Sequence, residues 1–249
     1  MIQNKLHTII ETKLAKKQKL FSVLIDPDKQ NFSELLKTIE TCNDSKIDFF
    51  LVGGSIITKG NIDNTVHAIK ENSNIPVILF PGSHSHLSNK ADGILFLSLI
   101  SGRNPEFLIG NQFRATPLLK ESNLEIIPTG YILVNSGNTT TAIKVSETPP
   151  IEYSESELAA TTALTGQYLG QKLIYIDGGS GAQRPISAEM ITKTKETLEI
   201  PLIIGGGITS PSVARSIYHS GADIIVIGNG AEEKRSLIHE ISIVRDEFC

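Results

Sequence analysis

Residues 202–207 read LIIGGG, and residues 224–230 read IIVIGNG. Each is a short β-branched run that stops in glycine. Continuous apolar runs of this length suit strands buried on both faces, as in a parallel sheet. Glycine at the strand end lets backbone N–H groups approach an anion without an intervening Cβ. A helix N-terminus after the turn adds the positive end of a dipole. Either loop alone reads nearly as well as a bare tight turn. Two in succession point to a phosphate held above the last two strands of a (β/α)8 barrel, where such barrels most often hold one.

The same kind of run recurs upstream at Phe21–Asp26, Phe49–Gly53, Val77–Pro81, Ile94–Ser98, Ile126–Val134 and Leu173–Asp177. With Leu202–Gly205 and Ile224–Gly228 these make eight candidate strands. Amphipathic stretches predict helices over 31–43, 60–73, 105–121, 155–170, 187–198, 211–220 and 232–246. Asn31, Ser154 and Ser187 are the expected caps, and Pro211 opens its helix where a missing N–H costs little. Between Pro81 and Gly93 only GSHSHLSNKAD remains, too short for a covering helix with its loops. The expected fold is therefore α/β, a modified TIM barrel with a reduced or missing third helix, in one domain over residues 1–249. The longest irregular stretch, Asn135–Tyr153, is expected to fold over the active face as a lid. A doubly wound open sheet is disfavoured, because the first strand ends in DPDK rather than GxGxxG.

Composition narrows the function. The chain is 40% apolar and 20% charged with a formal net charge of −4, ordinary for a globular protein. A nucleic-acid partner is not expected, since the densest basic cluster is Lys13, Lys16, Lys17 and Lys19, expected on a solvated N-terminal helix; a transient attraction to an anionic membrane surface stays open. Cys42 and Cys249 form no disulfide framework or zinc spacing. No window approaches the 18 apolar residues of a spanning helix, and no signal-peptide core precedes residue 20. A soluble, cytoplasmic protein is the expectation.

Three clusters at strand ends carry chemistry. Tyr175-Ile176-Asp177-Gly178-Gly179-Ser180-Gly181 ends the sixth strand, and Asp177 there either orients a hydroxyl and accepts its proton or caps the next turn. Asp26, with the Ser55 hydroxyl after Gly53-Gly54, forms half of an Mg2+ site completed by substrate oxygens, or belongs to a DPD turn. Asp28 reads as a turn or cap residue. His84 and His86 lack a third ligand and read as rim histidines. No Ser-His-Asp or Cys-His arrangement is apparent.

Seven motifs in order, LIDPDK (24–29), LVGGS (51–55), GILFLSLISGRNPEFLIGNQ (93–112), IPTGYILV (127–134), YIDGGSGA (175–182), IIGGGI (203–208) and VIGNG (226–230), make the chain resemble the geranylgeranylglyceryl phosphate synthase family, which includes bacterial heptaprenylglyceryl phosphate synthases. The resemblance runs over nearly the whole chain. It implies a barrel without a regular third helix and the joining of sn-glycerol 1-phosphate to a prenyl diphosphate, here geranylgeranyl diphosphate, with release of diphosphate. It implies Mg2+ at Asp26 and Ser55, and glycerol 1-phosphate at Tyr175 to Gly181, Gly206, Gly207, Gly228 and Asn229. Asp177 and Tyr175 become the candidate catalytic residues, although many relatives carry Glu where this chain has Asp177. Leu24 replaces a lysine found in some bacterial relatives. Phe96, Leu97, Leu99, Phe107 and Phe113 are candidates for a prenyl groove at the missing helix, against a plain core role, and small Ala115 bears on chain length. A homo-oligomer is expected by analogy. The alternatives are a longer prenyl donor, a phosphosugar isomerase or cyclase, and a non-catalytic phosphate- or lipid-binding barrel. Against the second, no aspartate follows strand 5 (Val134-Asn135-Ser136) and no GGG turn follows strand 3.

Overall fold

The structure is a computed structural model that describes residues 5–29 and 31–248. Its elements run α1 (Lys5–Ala15), β1 (Leu20–Ile25), α2 (Phe32–Asp44), β2 (Phe49–Gly54), α3 (Ile62–Asn72), β3 (Val77–Pro81), β4 (Gly93–Leu99), a π-helical turn (Glu106–Gly110), α4 (Asn111–Lys120), β5 (Glu125–Leu133), α5 (Thr141–Ser146), α6 (Ser156–Tyr168), β6 (Leu173–Asp177), α7 (Ala188–Thr197), β7 (Leu202–Gly205), α8 (Pro211–His219), β8 (Ile224–Ile227), α9 (Asn229–Glu233) and α10 (Ser236–Asp246). The eight strands close in sequence order into one parallel barrel. All eight expected strands are present. No helix occupies residues 82–92, so the third helix is missing.

Period-two alternation divides the core into two layers. Phe21, Val23 and Ile25 of β1 point outward and pack with α2 residues such as Leu35 and Ile39. Leu20 points inward with Phe49, Leu51, Ile78, Phe80, Leu95, Ile127, Leu173, Tyr175, Ile203 and Val226, filling the barrel. At the N-terminal ends of the strands, Leu6 and Ile10 of α1 enter this inner layer. Glu125, at the start of β5, accepts the Leu6 and His7 backbone N–H groups at 2.5 and 2.9 Å, satisfying donors that a helix start leaves unpaired. The floor is further pinned by Asp48, Asp92 and Asp223, which accept backbone N–H groups from Phe21, Val77 and Leu202. With that end plugged, the site must lie at the other.

Several expectations are corrected. Ser154 is not a cap: Glu155 stands at the start of α6 without a side-chain cap bond, because a turn from Glu152 to Glu155 delays the helix. Asn31 and Ser187 do cap, accepting from Glu34 and Met190. The helix expected over 105–121 starts as a wide π turn, since the Ser98 hydroxyl donates to the Leu108 carbonyl at 2.7 Å and Gln112 donates to Leu97. The basic cluster is not one solvated helix face: α1 ends at Ala15, Lys17 turns the chain at φ 62°, and Lys13 and Lys19 pair with Asp48 and Asp223 on the floor. The segment after β5 contains α5 and a bridge between Val134 and Ile151, so it is ordered structure along much of its length. Cys42 is buried in the outer core, and Cys249 lies outside the described residues.

Candidate active site

Above β6, β7, β8 and β1 lies a chamber whose lining includes Asp26, Ser55, Tyr175, Asp177, Gly179, Ser180, Gly181, Gly206, Gly207 and Gly228. Ten residues from five strand ends thus converge on one space. Ile176 and Gly178 do not line it; the Ile176 side chain belongs to the outer core, and the Gly178 carbonyl accepts from the Ser136 hydroxyl at 2.5 Å. Asn229 opens α9, and its side chain lies outside the described residues.

The cradle is made of backbone because side chains do not fit. Gly206 and Gly207 hold φ of +85° and +70°. A Cβ on Gly206 would lie 2.8 Å from the Gly178 backbone nitrogen, and one on Gly207 would lie 2.7 Å from the Arg184 carbonyl carbon. The loops after β6 and β7 therefore touch backbone to backbone. Without side chains there, a ligand has room to approach the peptide groups of the chamber wall. α9 is only five residues long, so peptide groups rather than a helix dipole dominate there.

At the chamber's inner wall, Asp177 is almost fully buried, 8% exposed. Its turn-capping role is present in the structure. One carboxylate oxygen caps the turn by accepting the Gly179 N–H at 2.7 Å, and the other accepts the Tyr131 hydroxyl at 2.6 Å. Burial pushes its pKa up from the ordinary carboxylate range, while those two hydrogen bonds pull the other way. Tyr131 and Tyr175 neighbour it, and with Phe80 they form an aromatic cluster whose ring centroids lie 5.3–5.8 Å apart. Burial first, and the Asp177 carboxylate second, hold both tyrosine hydroxyls well above their usual range, so they stay protonated donors.

Across the chamber, one Asp26 oxygen accepts the Asp28 N–H at 3.0 Å. Asp28 itself turns away and ties down the next loop, accepting from the Thr58 backbone and hydroxyl at 2.7 and 2.9 Å and from Lys59 and Gly60. Four donors hold its carboxyl well below the usual range. Asp28 is structural, as its turn signal suggested.

A second space continues from the chamber into the gap left by the missing helix; the two share Gly54, Ser55, Phe80, Tyr131 and Ala142. Leu87, Phe96, Leu97, Leu99, Phe107 and Ala115 line it. Phe113 does not: it is 78% exposed on the opposite face of α4, so the sequence-based placement of this residue is corrected. His84 lines the groove's rim and accepts from Arg114 at 3.5 Å, while His86 accepts the Gly82 N–H. α5, from the segment expected to act as a lid, supplies Thr141 and Ala142 to the chamber wall and Val145 to the groove.

A glycine-walled chamber, a buried carboxylate and an apolar groove meet at one point. Residues 12–245 match the model of the PcrB family. The chain belongs to that family. Geranylgeranylglyceryl phosphate synthase of Spirosoma linguale is 47% identical over 231 residues, 93% of each chain. The Pyrococcus horikoshii protein of the same name is 44% identical over 94% of this chain and 91% of its own. The crystal structure of (S)-3-O-geranylgeranylglyceryl phosphate synthase from Thermoplasma acidophilum, in complex with its substrate sn-glycerol-1-phosphate, aligns with a TM-score of 0.89 at 32% identity, over 96% of this chain and 98% of that one.

Sequence reasoning missed three residues of this PcrB-family site. Tyr131 sat inside a run read only as strand, and its inward direction depends on pairing with Tyr175. Lys29 and Glu232 come from opposite ends of the chain and meet at 3.5 Å because β8 closes against β1. The proposed Mg2+ fits the residues present. Asp26 and Ser55 face one chamber, and a Cβ on Gly54 would stand 3.4 Å from the Asp26 carboxylate, so glycine leaves that approach open. Among the described residues no three His, Cys, Asp or Glu side chains form a cage; an ion that keeps waters and shares substrate oxygens suits so sparse a set.

Proposed function

We propose that this PcrB-family chain is a prenyltransferase that joins sn-glycerol 1-phosphate to geranylgeranyl diphosphate, forming an ether bond and releasing diphosphate. The observation that carries this reading is the continuity of the anion chamber with the apolar groove beside Asp177. A phosphosugar enzyme has no use for such a groove. The backbone of residues 179–181, 206–207 and 228–229 holds the glycerol phosphate so that its free hydroxyl lies toward Asp177. Asp177 takes the hydroxyl proton as the C–O bond forms, and Tyr131 and Gly179 hold the carboxylate in place. Tyr175 and Phe80 keep water from the allylic carbon. Asp26 and Ser55 would hold Mg2+, which neutralises the departing diphosphate when bound. The hydrocarbon tail lies along β4 and α4.

Purified protein incubated with Mg2+, sn-glycerol 1-phosphate and farnesyl, geranylgeranyl or longer diphosphates should release diphosphate, and sn-glycerol 3-phosphate should not replace the 1-phosphate. No release with any pair would overturn the reading. Ala115 is buried against the groove, so Ala115→Phe should fill its far part. Overpacking typically costs about 1–3 kcal/mol, so kcat/KM for geranylgeranyl diphosphate is expected to fall about tenfold or more while the farnesyl donor is spared. Equal losses for both donors would show that Ala115 does not limit chain length.

A further inference from the structure

The chamber proposed to hold two phosphorylated substrates is poor in positive charge. Among the described residues the charged side chains lining it are Asp26, Asp177, Glu232 and Glu233 against one cation, Lys29. Leu24, two residues before Asp26, supplies only hydrocarbon to the same wall. Lys29 stands between the subsites. Its ammonium lies 3.2 Å from the Ser180 hydroxyl in the glycine-rich cradle, 3.7 Å from Asp26 and 3.5 Å from Glu232. Its side chain is 34% exposed, whereas those of Asp26 and Glu232 are 19% and 16% exposed. A compact ammonium on a flexible stem can change partners without moving the backbone.

We propose that Lys29 is the cation that bridges the glycerol phosphate and the diphosphate, and that Glu232 holds it in place when the anions are absent. Ser180 marks the phosphate side of its reach and Asp26 the diphosphate side. On anion binding the ammonium exchanges the Glu232 carboxylate for phosphate oxygens, and the nearby acids no longer repel the incoming charge unopposed. When diphosphate leaves, Glu232 takes the ammonium back. This role deepens the prenyltransferase reading and rests on it for the identity of the two anions.

Equilibrium titration of inorganic diphosphate with Mg2+, and separately of sn-glycerol 1-phosphate, tests the proposal without turnover. Lys29→Met and Lys29→Gln should each weaken both anions about tenfold or more, the range of a lost charge-assisted hydrogen bond, and Lys29→Arg should restore most of the affinity. Glu232→Gln should tighten diphosphate several-fold in the wild-type background and leave affinity unchanged beside Lys29→Met. Unaltered binding by both neutral variants would overturn the proposal. So would a Glu232→Gln gain that persists undiminished without Lys29, because simple repulsion would then account for it. Thermal melts of all variants report folding. Failure of the wild-type protein to release diphosphate from any prenyl donor would instead sink the prenyltransferase reading, while the titrations would still report Lys29 as an anion ligand.

Discussion

Asp177→Asn should lower turnover by about 10²–10⁴-fold, the usual contribution of a positioned acid–base group, and should raise the melting temperature at pH 7. The two effects share one cause. The wild-type carboxyl is buried beside the Tyr131 and Tyr175 rings, and burial raises its pKa above the ordinary value of 3.8. A raised pKa makes a better proton acceptor at neutral pH. It also means that the folded state prefers the protonated form. The stability from this group is therefore fully present below the unfolded pKa and is lost as pH rises through the folded pKa. Asparagine does not ionise, and its amide oxygen can still accept from Gly179. Melting curves from pH 4 to pH 8 should show the wild type losing stability relative to Asp177→Asn as pH rises, with the acid limb of activity above the normal carboxylate range. A variant that keeps more than a tenth of the turnover would remove Asp177 from the chemistry.

Gly206→Ala should be nearly as damaging for a different reason. Its φ of +85° already strains any L side chain, and the new Cβ would press within 3 Å of the Gly178 and Gly179 backbone. Either the loop after β7 or the one after β6 must move, and both form the cradle. KM for the glycerol phosphate should rise tenfold or more, with a stability loss of about 1–3 kcal/mol from backbone strain. Gly170→Ala is the matched control: φ is +92°, yet nothing lies within 4 Å of its Cβ. It should cost a similar strain and leave KM unchanged. Equal KM values for the two variants would mean that the cradle does not hold the phosphate.

Much of this architecture was legible in the chain. Buried parallel strands announce themselves as short apolar runs, and a gap of eleven residues after Pro81 cannot hold a helix and its loops. The glycine turns were legible because close backbone approach has few other solutions. Contacts made by barrel closure were not. Lys29 and Glu232 are remote in sequence, and only the β1–β8 pairing brings them together. Tyr131 and Tyr175 needed the β5–β6 register. Phe113 was misplaced because the π turn after Pro105 changes which side of the following helix meets the barrel. A helical wheel drawn from sequence assumes 3.6 residues per turn, and one wide turn is enough to rotate every residue beyond it.

The missing third helix has a thermodynamic consequence. Strands β3 and β4 are joined through only Ile78↔Gly93 and Leu79↔Ile94, against seven residue pairs between β4 and β5. Their outer surface is covered by a loop and an apolar groove where other strands have a helix. A hydrocarbon seated in that groove stands in for a structural element. As the tail of the proposed donor it would be cargo, and for the length of one turnover also wall. Its affinity then adds directly to the stability of the seam, growing with the logarithm of its concentration. On the prenyltransferase reading, the donor lipid and the barrel would complete each other, and the seam between β3 and β4 would be firmest while the groove is filled.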